Sequence, residues 1–493
     1  MAAAPVLVWL RNDLRLSDNP ALHAAAATGR PIVPFYILDD ATPGKWRLGG
    51  AGRWWLHHSL HSLSRRLTRR GVALTLRRGE AVAVVSELIE ETGASALYCN
   101  RACEPWARCD EHCLGALDIE LHRFAGGLLF DPEHMRTVSG TPFRVFTPFS
   151  KACLAAPPPD PPLPAPKSMV APARVPPGDT LTGWGLLPVR PDWSGGLRAA
   201  WRPGEPQAQG RVAAVANTVV SDYLGGRERP GRAGTSRLSP HLHFGEVTPR
   251  QCWHAVQAGI AADPAAAPGG QAFLRQLLWR EFSAHLLIHV PTLPERPFRP
   301  RFAAMRYPGS KAMLGRWQRG RTGIPIVDAG MRELWHTGWM HNRVRMIAAS
   351  LLVKNMRVDW RLGAAWFWDT LVDADLANNS ASWQWVAGSG ADAAPYFRIF
   401  SPVLQGRRYD PDGAYVRRWV PELTRLAASH IHAPWQAPAA VLAAAGVTLG
   451  ATYPRPCVDL GETRRRALAD YRALSGSGPS ADGPKTDRPR RMA

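Results

Sequence analysis

Hydrophobic positions in the first quarter of the chain form short apolar runs separated by amphipathic stretches. The runs are VLVWL, PIVPFYIL, VALTLRR, ALYCN and GLLF, all within residues 6–130. Apolar runs that alternate with segments of helical period are typical of a parallel sheet covered by helices. The clearest helix follows Gly52 and carries four leucines at helical spacing, Leu56, Leu60, Leu63 and Leu67. We predict an α/β domain with a five-stranded parallel, Rossmann-like sheet over residues 1–132.

A second pattern follows the sheet. Residues 155–178 read AAPPPDPPLPAPKSMVAPARVPPG, and so many prolines exclude a helix or an inner strand. We therefore predict a long interdomain connector over 133–204 that is Pro-rich at 155–178. Residues 205–474 show helical periodicity with many tryptophans and predict a mostly α-helical domain. Residues 475–493 are small, polar and basic, which predicts a disordered tail.

Composition narrows the class of partner. The 493 residues include 60 Lys and Arg against 40 Asp and Glu, a formal net charge of +20, which favours nucleic acid before membrane, although a merely solvated basic surface is an alternative. No run of 18 apolar residues and no signal peptide is present, so we expect a cytoplasmic protein. Four cysteines lie between Cys99 and Cys113 at spacings that match no common ligand pattern, so we expect no metal site.

Three features of the second domain suggest chemistry. Its tryptophans stand among Arg and Asn, which suits stacking on bases or on a flat ring system as well as simple core packing. The segment GRAGTSRLSPHLHFGEVTPRQ, residues 231–251, supplies N–H and hydroxyl donors of the kind that hold phosphate. Asp373 and Asp375 precede Asn378 and Asn379; these carboxylates are helix caps or partners of a cofactor, and spacing alone leaves both open.

These segments occur in an order that resembles a known family. The motifs TSRLSPHLHFGE, QLLWREF, GIPIVDAGMREL, TGWMHNRVRM, DADLANNSASWQW and DAAPYFRIFSP, with VLVWLRNDLRLSDNPAL and FRVFTPF before them, closely resemble the DNA photolyase/cryptochrome family. Within it the chain looks like a class I-like cyclobutane pyrimidine dimer photolyase. The resemblance implies an N-terminal antenna domain and a helical domain that buries FAD.

The resemblance also implies the residues that bind FAD. One group would surround the phosphates and the ribityl chain: Tyr223, Arg227, Thr235, Ser236, Arg237, Leu238 and Ser239. A second group would meet the flavin and ribose from the other side: Arg345, Asp373, Ala374, Asp375 and Asn379. Arg345 is expected to pair with Asp373, because a lone buried charge is costly. Asn379 would face the flavin N5 atom, where many plant cryptochromes carry an acid.

The implied substrate is UV-damaged DNA, bound by a monomer. The dimer would flip out of the duplex and receive an electron from excited, reduced FAD. The residues expected to contact DNA are Gln276, Trp279, Arg280, Asn342, Arg343, Met346, Trp385 and Gln405. Those expected to act in catalysis or in photoreduction of the flavin are Asn379, Gln276, Trp383, Trp360 and Tyr307.

Two positions depart from the family pattern. Gln276 stands where dimer photolyases commonly carry Glu, which predicts reduced efficiency, because an amide cannot donate a proton to a radical anion. Gln also occurs there in (6-4) photolyases, but those enzymes carry two catalytic histidines where this chain has Asn342 and Met346. Tyr307 aligns with the third tryptophan of an electron-transfer chain, and Trp317 is the alternative exit.

The antenna pigment and the function class have competing interpretations. Trp106 and Ala107 replace an Asn–Glu pair of some folate-binding photolyases; we favour methenyltetrahydrofolate over 8-hydroxy-deazaflavin. A cryptochrome-type blue-light photoreceptor and a non-enzymatic DNA-binding flavoprotein are the alternatives to repair. Asn379 and the two lesion-facing tryptophans favour repair.

Overall fold

The computed structural model describes residues 3–392 and 397–475. Part of the DAAPYFRIFSP motif and the predicted basic tail beyond Ser475 lie outside the described residues.

The N-terminal domain is built on one parallel sheet. Its strand order is β3-β2-β1-β4-β5, and the central strands are buried along their whole length, which requires the continuous apolar runs seen in the sequence. The predicted five-stranded parallel sheet is confirmed. The strands are β1 (Val6–Leu10), β2 (Ile32–Leu38), β3 (Thr75–Arg78), β4 (Ala96–Asn100) and β5 (Glu120–Phe124).

The fifth strand was predicted in the wrong place. The sequence favoured GLLF near residue 130, but β5 is the polar segment ELHRF at Glu120–Phe124. Among the described residues this strand pairs only with β4, and an edge strand needs few apolar residues because water covers it. The backbone N–H groups of Leu129 and Phe130 instead donate to the Glu281 carboxylate, Leu129 at 2.8 Å and Phe130 at 3.3 Å.

Helices cover both faces of the sheet. The four leucines predicted for one face of α2 are all buried, as helical periodicity requires. The four helices of this domain are α1 (Pro20–Ala27), α2 (Gly50–Thr68), α3 (Ala81–Thr92) and α4 (Pro105–Leu114).

The connector crosses the surface of the α/β domain. It contains two helices, α5 (Phe146–Ala155) and α6 (Gly195–Ala200). Its Pro-rich part has almost no regular structure, apart from an isolated bridge between Val170 and Pro31, and a hydrogen bond from Asp18 N–H to the Leu163 carbonyl holds it to the sheet domain at 2.7 Å.

The second domain is helical within the described residues, as predicted. No helix in the described part of the chain is both long and apolar enough to span a membrane. Its helices are α7 (Glu205–Ala214), α8 (Tyr223–Gly226), α9 (Ser239–His243), α10 (Pro249–Ala262), α11 (Ala267–His289), α12 (Lys311–Gln318), α13 (Pro325–Thr337), α14 (Asn342–Ser350), α15 (Trp360–Thr370), α16 (Leu376–Ala387), α17 (Pro402–Tyr409), α18 (Ala414–Trp419), α19 (Ala428–Ile431), α20 (Ala439–Ala444) and α21 (Leu460–Ser475).

Candidate functional site

A buried ion pair lies between α14 and the start of α16. Two guanidinium hydrogen bonds join Arg345 to Asp373 at 2.8 and 3.1 Å, and the Asp373 side chain is 3% exposed. Arg345 also donates through Nε to the Met340 carbonyl at 2.7 Å, which fixes the guanidinium in place. The predicted pairing is confirmed.

The other acidic residue of this segment is a helix cap. Asp375 accepts a hydrogen bond from the Asn378 N–H at 2.8 Å and so begins α16. Burial alone would raise the pKa of Asp375, but the hydrogen bond and charge of His243, with Arg280, hold this pKa well below its usual range. A carboxylate that stays ionised can accept hydrogen bonds from a ligand as well as cap the helix.

Asn379 is oriented by a hydrogen bond inside the helix pair. Its side chain is largely buried, and its amide nitrogen donates to the Ala364 carbonyl of α15 at 3.1 Å. Only the nitrogen can donate to a carbonyl, so this contact fixes which way the amide points. The Asn379 side-chain oxygen is left to accept a hydrogen bond from another group.

Arg237 lies between two indole rings. Its guanidinium carbon is 4.8 Å from the ring centroid of Trp201 and 4.7 Å from that of Trp339. The backbone is left-handed, with φ of 51°, a conformation that a side chain adopts only when its surroundings enforce it. Its Nε atom is buried and has no hydrogen-bond partner in the described part of the chain. A buried donor of this kind fits an anionic group such as a phosphate.

The hydroxyl-bearing segment before α9 lies beside this arginine. Thr235 and Ser236 are half-buried, and Ser239, exposed at the start of α9, accepts a hydrogen bond from the Trp339 indole at 3.4 Å. Leu238 and Ala374 are both buried.

Tyr223 on α8 and Arg227, which directly follows this helix, lie beside α11. The Arg227 guanidinium lies 5.6 Å from the Tyr223 ring centroid and donates to the Gln276 side-chain oxygen at 3.1 Å. The Gln276 nitrogen donates to the Ala272 carbonyl at 3.1 Å. Both polar atoms of Gln276 are therefore engaged within the protein.

The first turn of α14 presents the predicted lesion-facing residues. Asn342 is exposed, and its amide nitrogen is 4.0 Å from the Met346 sulfur. Arg343 pairs with Glu228 and its guanidinium carbon lies 4.3 Å from the Tyr409 ring centroid. Sequence reasoning missed Glu228, for which the sequence offers no signal beyond its place next to Arg227.

The two tryptophans expected to face the lesion differ in their surroundings. Trp279 on α11 stacks face to face on Phe146, with ring centroids 3.6 Å apart and planes at 6°. Trp385 on α16 is partly buried and packs against the core of the helical domain. Gln405 is half-buried on α17.

Arg280 takes a different place from the one expected. Its guanidinium donates to the Gly127 carbonyl at 2.9 Å and to the Leu242 carbonyl at 3.4 Å. It lines the same cavity as His243 and Asp375. Sequence could not show this, because a one-residue step along a helix turns a side chain by about 100°. We reassign Arg280 from the DNA face to this cavity.

This cavity of about 210 Å³ lies between the two domains. On one side it is bounded by the carboxyl ends of β1, β2 and β4 and by Trp106 and Asp110 of α4; on the other, by residues of the helical domain. The order of the strands reverses at β1, and ligands of open α/β sheets bind outside the strand ends at such a switch point. Burial, and next the charge of Asp39, raise the pKa of Asp110.

The predicted electron-transfer residues lie in the helical core. Trp383 is buried and meets Phe367 at 5.0 Å and Trp317 at 6.1 Å between ring centroids. Trp317 is fully buried and its indole donates to the Ala348 carbonyl at 3.0 Å. A fully buried ring cannot itself be a surface exit, so the suggestion that Trp317 replaces Tyr307 there is wrong.

Tyr307 is the half-buried member of this group. Its segment is held beside the start of α15 by a hydrogen bond from Gly309 N–H to the Arg357 carbonyl at 3.0 Å, next to the buried Trp360. Burial, and next the charge of Asp359, raise the pKa of the Tyr307 phenol. The phenol is therefore protonated at neutral pH and has a carboxylate near it.

Both domains match known families. Residues 6–167 match the model described as DNA photolyase, and residues 273–473 match the FAD binding domain of DNA photolyase. The deoxyribodipyrimidine photo-lyase of Agrobacterium fabrum is 46% identical over 96% of this chain and 99% of its own length. The chain belongs to the DNA photolyase family. Cryptochrome-1 of Arabidopsis thaliana is also similar to this photolyase-family chain, with 36% identity over 93% of the chain and 69% of the relative.

A solved structure corrects the expected subclass. The crystal structure of a bacterial class III photolyase from Agrobacterium tumefaciens matches this photolyase-family chain with a TM-score of 0.93 and 46% identity, covering 97% of this chain and 99% of that one. The class I-like assignment is therefore not supported. The motifs that suggested it are those expected to bind the cofactor and the lesion, and residues expected to serve chemistry common to the family do not separate its subclasses.

Proposed function

We propose that this photolyase-family protein repairs cyclobutane pyrimidine dimers in UV-damaged DNA with the energy of absorbed light. The contact between Asn342 and Met346 on the exposed turn of α14 is the observation that carries the choice of lesion. An amide and a thioether can touch a dimer but cannot act as general acid or base near neutral pH. His341, which precedes them, is buried and burial lowers its pKa to about 4, so it stays neutral.

FAD fits the residues of the helical domain. Arg237, with its buried Nε lacking a partner, would meet the phosphates together with Thr235 and Ser236. The Arg345–Asp373 pair and the free oxygen of Asn379 would meet the flavin ring. When bound and reduced, FAD supplies the electron that opens the dimer after light is absorbed.

Side chains of the protein would bind the lesion and stabilise the negative charge that it acquires. Trp279 and Trp385 would offer flat faces to the two pyrimidines, because base–aromatic stacking is favourable for any base. Arg343 and Gln405 would approach the strand. Arg227 holds the Gln276 side-chain oxygen at 3.1 Å, so a cation lies next to the group expected to touch the dimer and would stabilise negative charge on it.

A signalling photoreceptor is the second candidate. It is favoured by Gln276, which replaces the usual carboxylic acid, and by the similarity to plant Cryptochrome-1. Asn379 opposes it, since its amide suits the repair enzymes and an acid is common at that position in plant cryptochromes.

The deciding experiment uses the purified, reduced protein. It is illuminated with an oligonucleotide that carries one cyclobutane thymine dimer, and the return of thymine absorbance is followed against a matched (6-4) substrate and a dark control. We expect light-dependent repair of the dimer alone. Repair of neither lesion by protein with bound flavin would support the photoreceptor, and repair of the (6-4) lesion would overturn the role given to Asn342 and Met346.

We also propose an antenna pigment in the cavity between the domains. Methenyltetrahydrofolate has a flat ring that suits Trp106 and polar groups that suit Arg101 and Asn100, which line the same cavity. Mass spectrometry of the released pigment separates this folate from 8-hydroxy-deazaflavin. The Trp106→Ala variant should lose the pigment and keep FAD; retention of the pigment would place its site elsewhere.

A further inference from the structure

The connector helix α5 places an aromatic ring directly against a tryptophan of the helical domain. Phe146 begins α5 and is 1% exposed. Its ring lies parallel to that of Trp279, with centroids 3.6 Å apart and planes at 6°. At this separation the two ring faces are in van der Waals contact over most of the phenyl area, so Phe146 covers much of one face of Trp279.

The stack is held from several sides. Phe282 meets Phe146 edge-on at 5.9 Å and Trp279 edge-on at 6.1 Å between centroids. The Arg275 guanidinium carbon lies 5.3 Å from the Phe146 centroid. With one face covered by Phe146 and an edge against Phe282, the indole has little freedom to turn, and its other face alone can receive a base.

The start of α5 lies near the loop that follows α16, the helix of the second tryptophan, Trp385. The first N–H groups of a helix have no acceptor within the helix. Burial raises the pKa of Asp392, and the Phe146 backbone N–H near that carboxylate opposes the shift. Asp392 lies in the loop after α16, in which the Gly390 N–H donates to the Gln384 carbonyl at 3.0 Å. Gln384 is followed directly in the chain by Trp385, so this loop is attached to the turn of α16 that carries the second tryptophan.

We infer that Phe146 is a positioning residue for lesion binding, because its ring orients Trp279 by stacking on it. This inference rests on the proposed function. A ring that is already ordered before binding loses less conformational freedom when the lesion arrives, so affinity for the dimer gains while the light-driven step is unaffected.

The test compares two phenylalanines of the same helix. Phe146→Leu keeps apolar volume and removes the flat face. Phe149→Leu is the matched control, because Phe149 is also 1% exposed and contacts Phe282 at 5.3 Å without meeting Trp279. We expect Phe146→Leu to weaken binding of a dimer-containing oligonucleotide by about two- to tenfold, with unchanged binding of the undamaged strand and unchanged repair rate at saturating substrate. Phe149→Leu should leave the dimer affinity unchanged.

Equal dimer affinity in Phe146→Leu and wild type, or an equal loss in Phe149→Leu, would overturn the inference. A double-mutant cycle tests the stack without DNA. The unfolding free energies of full-length, FAD-bound wild type, Phe146→Leu, Trp279→Leu and the double variant should be non-additive, because residues in contact are coupled; additive losses would also overturn it. If the wild type does not prefer dimer-containing DNA, the proposed function fails, while the cycle still decides whether Phe146 orients Trp279.

Discussion

The Arg227 guanidinium donates a hydrogen bond to the side-chain oxygen of Gln276 at 3.1 Å. In dimer photolyases with Glu at this position, the same neighbour would face a carboxylate. The position is half-buried, and a hydrogen bond to a charged partner is about twice as strong as a neutral one. This chain therefore has the Arg227 cation, but carries the amide of Gln276 where those enzymes carry a carboxylic acid.

Restoring the acid should improve repair. Gln276→Glu places a carboxyl group that can hydrogen-bond the dimer and share a proton with it, so we expect more dimers repaired per absorbed photon, by about two- to fivefold, the size of one added charge-assisted hydrogen bond after solvent screening. Gln276→Leu should fall below wild type. The measurement is the repair yield at saturating oligonucleotide, with affinity for undamaged DNA as control. If the repair yield of Gln276→Glu is no higher than that of wild type, the amide does not reduce repair efficiency.

Breaking the Arg345–Asp373 pair should destabilise the protein and release FAD. Arg345→Leu leaves the Asp373 carboxylate buried without its partner, which costs about 3–5 kcal/mol. The free energy of unfolding and the FAD-to-protein ratio should both fall. Arg198→Leu is the control, because its pair with Asp192 is 53% and 40% exposed and solvent-screened pairs of that kind contribute little to stability. Similar losses in the two variants would contradict the importance given to the buried pair.

Tyr307 should carry the last step of flavin photoreduction. Its phenol must lose a proton when it is oxidised. Burial, and next the charge of the nearby Asp359 carboxylate, raise the Tyr307 pKa. Tyr307→Phe should slow photoreduction with dithiothreitol at least tenfold, while repair by chemically reduced protein should be unchanged. In D2O the wild type should slow and Tyr307→Trp should not. Trp317→Phe tests whether the buried ring beside Trp383 is needed as an intermediate step.

Glu281 should make stability depend on pH in an unusual direction. Burial raises the pKa of Glu281 to about 7, although Arg280 and the N–H groups of Phe130 and Leu129 oppose the shift. The folded state therefore holds a proton that the unfolded state has already lost, so stability from this group falls as pH rises from about 4.5 to about 7 and is constant above. The expected loss is roughly 3 kcal/mol.

Glu281→Gln keeps an acceptor for both N–H groups and cannot ionise. The unfolding free energy of wild type relative to this variant should decrease between pH 5 and pH 7.5, and parallel curves would show that Glu281 does not titrate in this range. The comparison with the variant removes the contribution of other groups, such as His341, whose pKa is lowered to about 4 and whose contribution to stability rises with pH.

Sequence patterns predicted the sheet and the helical domain, because the spacing of apolar residues along the chain follows directly from which face of each element is buried. The strands buried along their length were recognised from apolar runs, and α2 from its leucines. The edge strand β5 was missed, because its exposed residues carry no apolar signal. The Arg345–Asp373 pair was predicted from the resemblance and not from spacing, since the two residues lie 28 positions apart.

The side-chain positions that the sequence did not predict depend on contacts between segments that are far apart in the chain. Whether Arg280 faces DNA or the cavity depends on the Gly127 carbonyl of the other domain, and no local pattern reports a contact across 153 positions. The stack of Phe146 on Trp279 and the covering of Arg237 by Trp201 depend likewise on where the connector crosses the helices.

The connector therefore supplies two rings to the helical domain, Trp201 over Arg237 and Phe146 over Trp279. A fragment that starts at residue 205 would omit both, although it holds every residue assigned to FAD. Photolyase-family domains exchanged at that boundary would carry the cofactor residues of one parent and the supporting rings of the other. A domain exchange that keeps both rings with the FAD-binding helices must therefore include this chain from α5 onward.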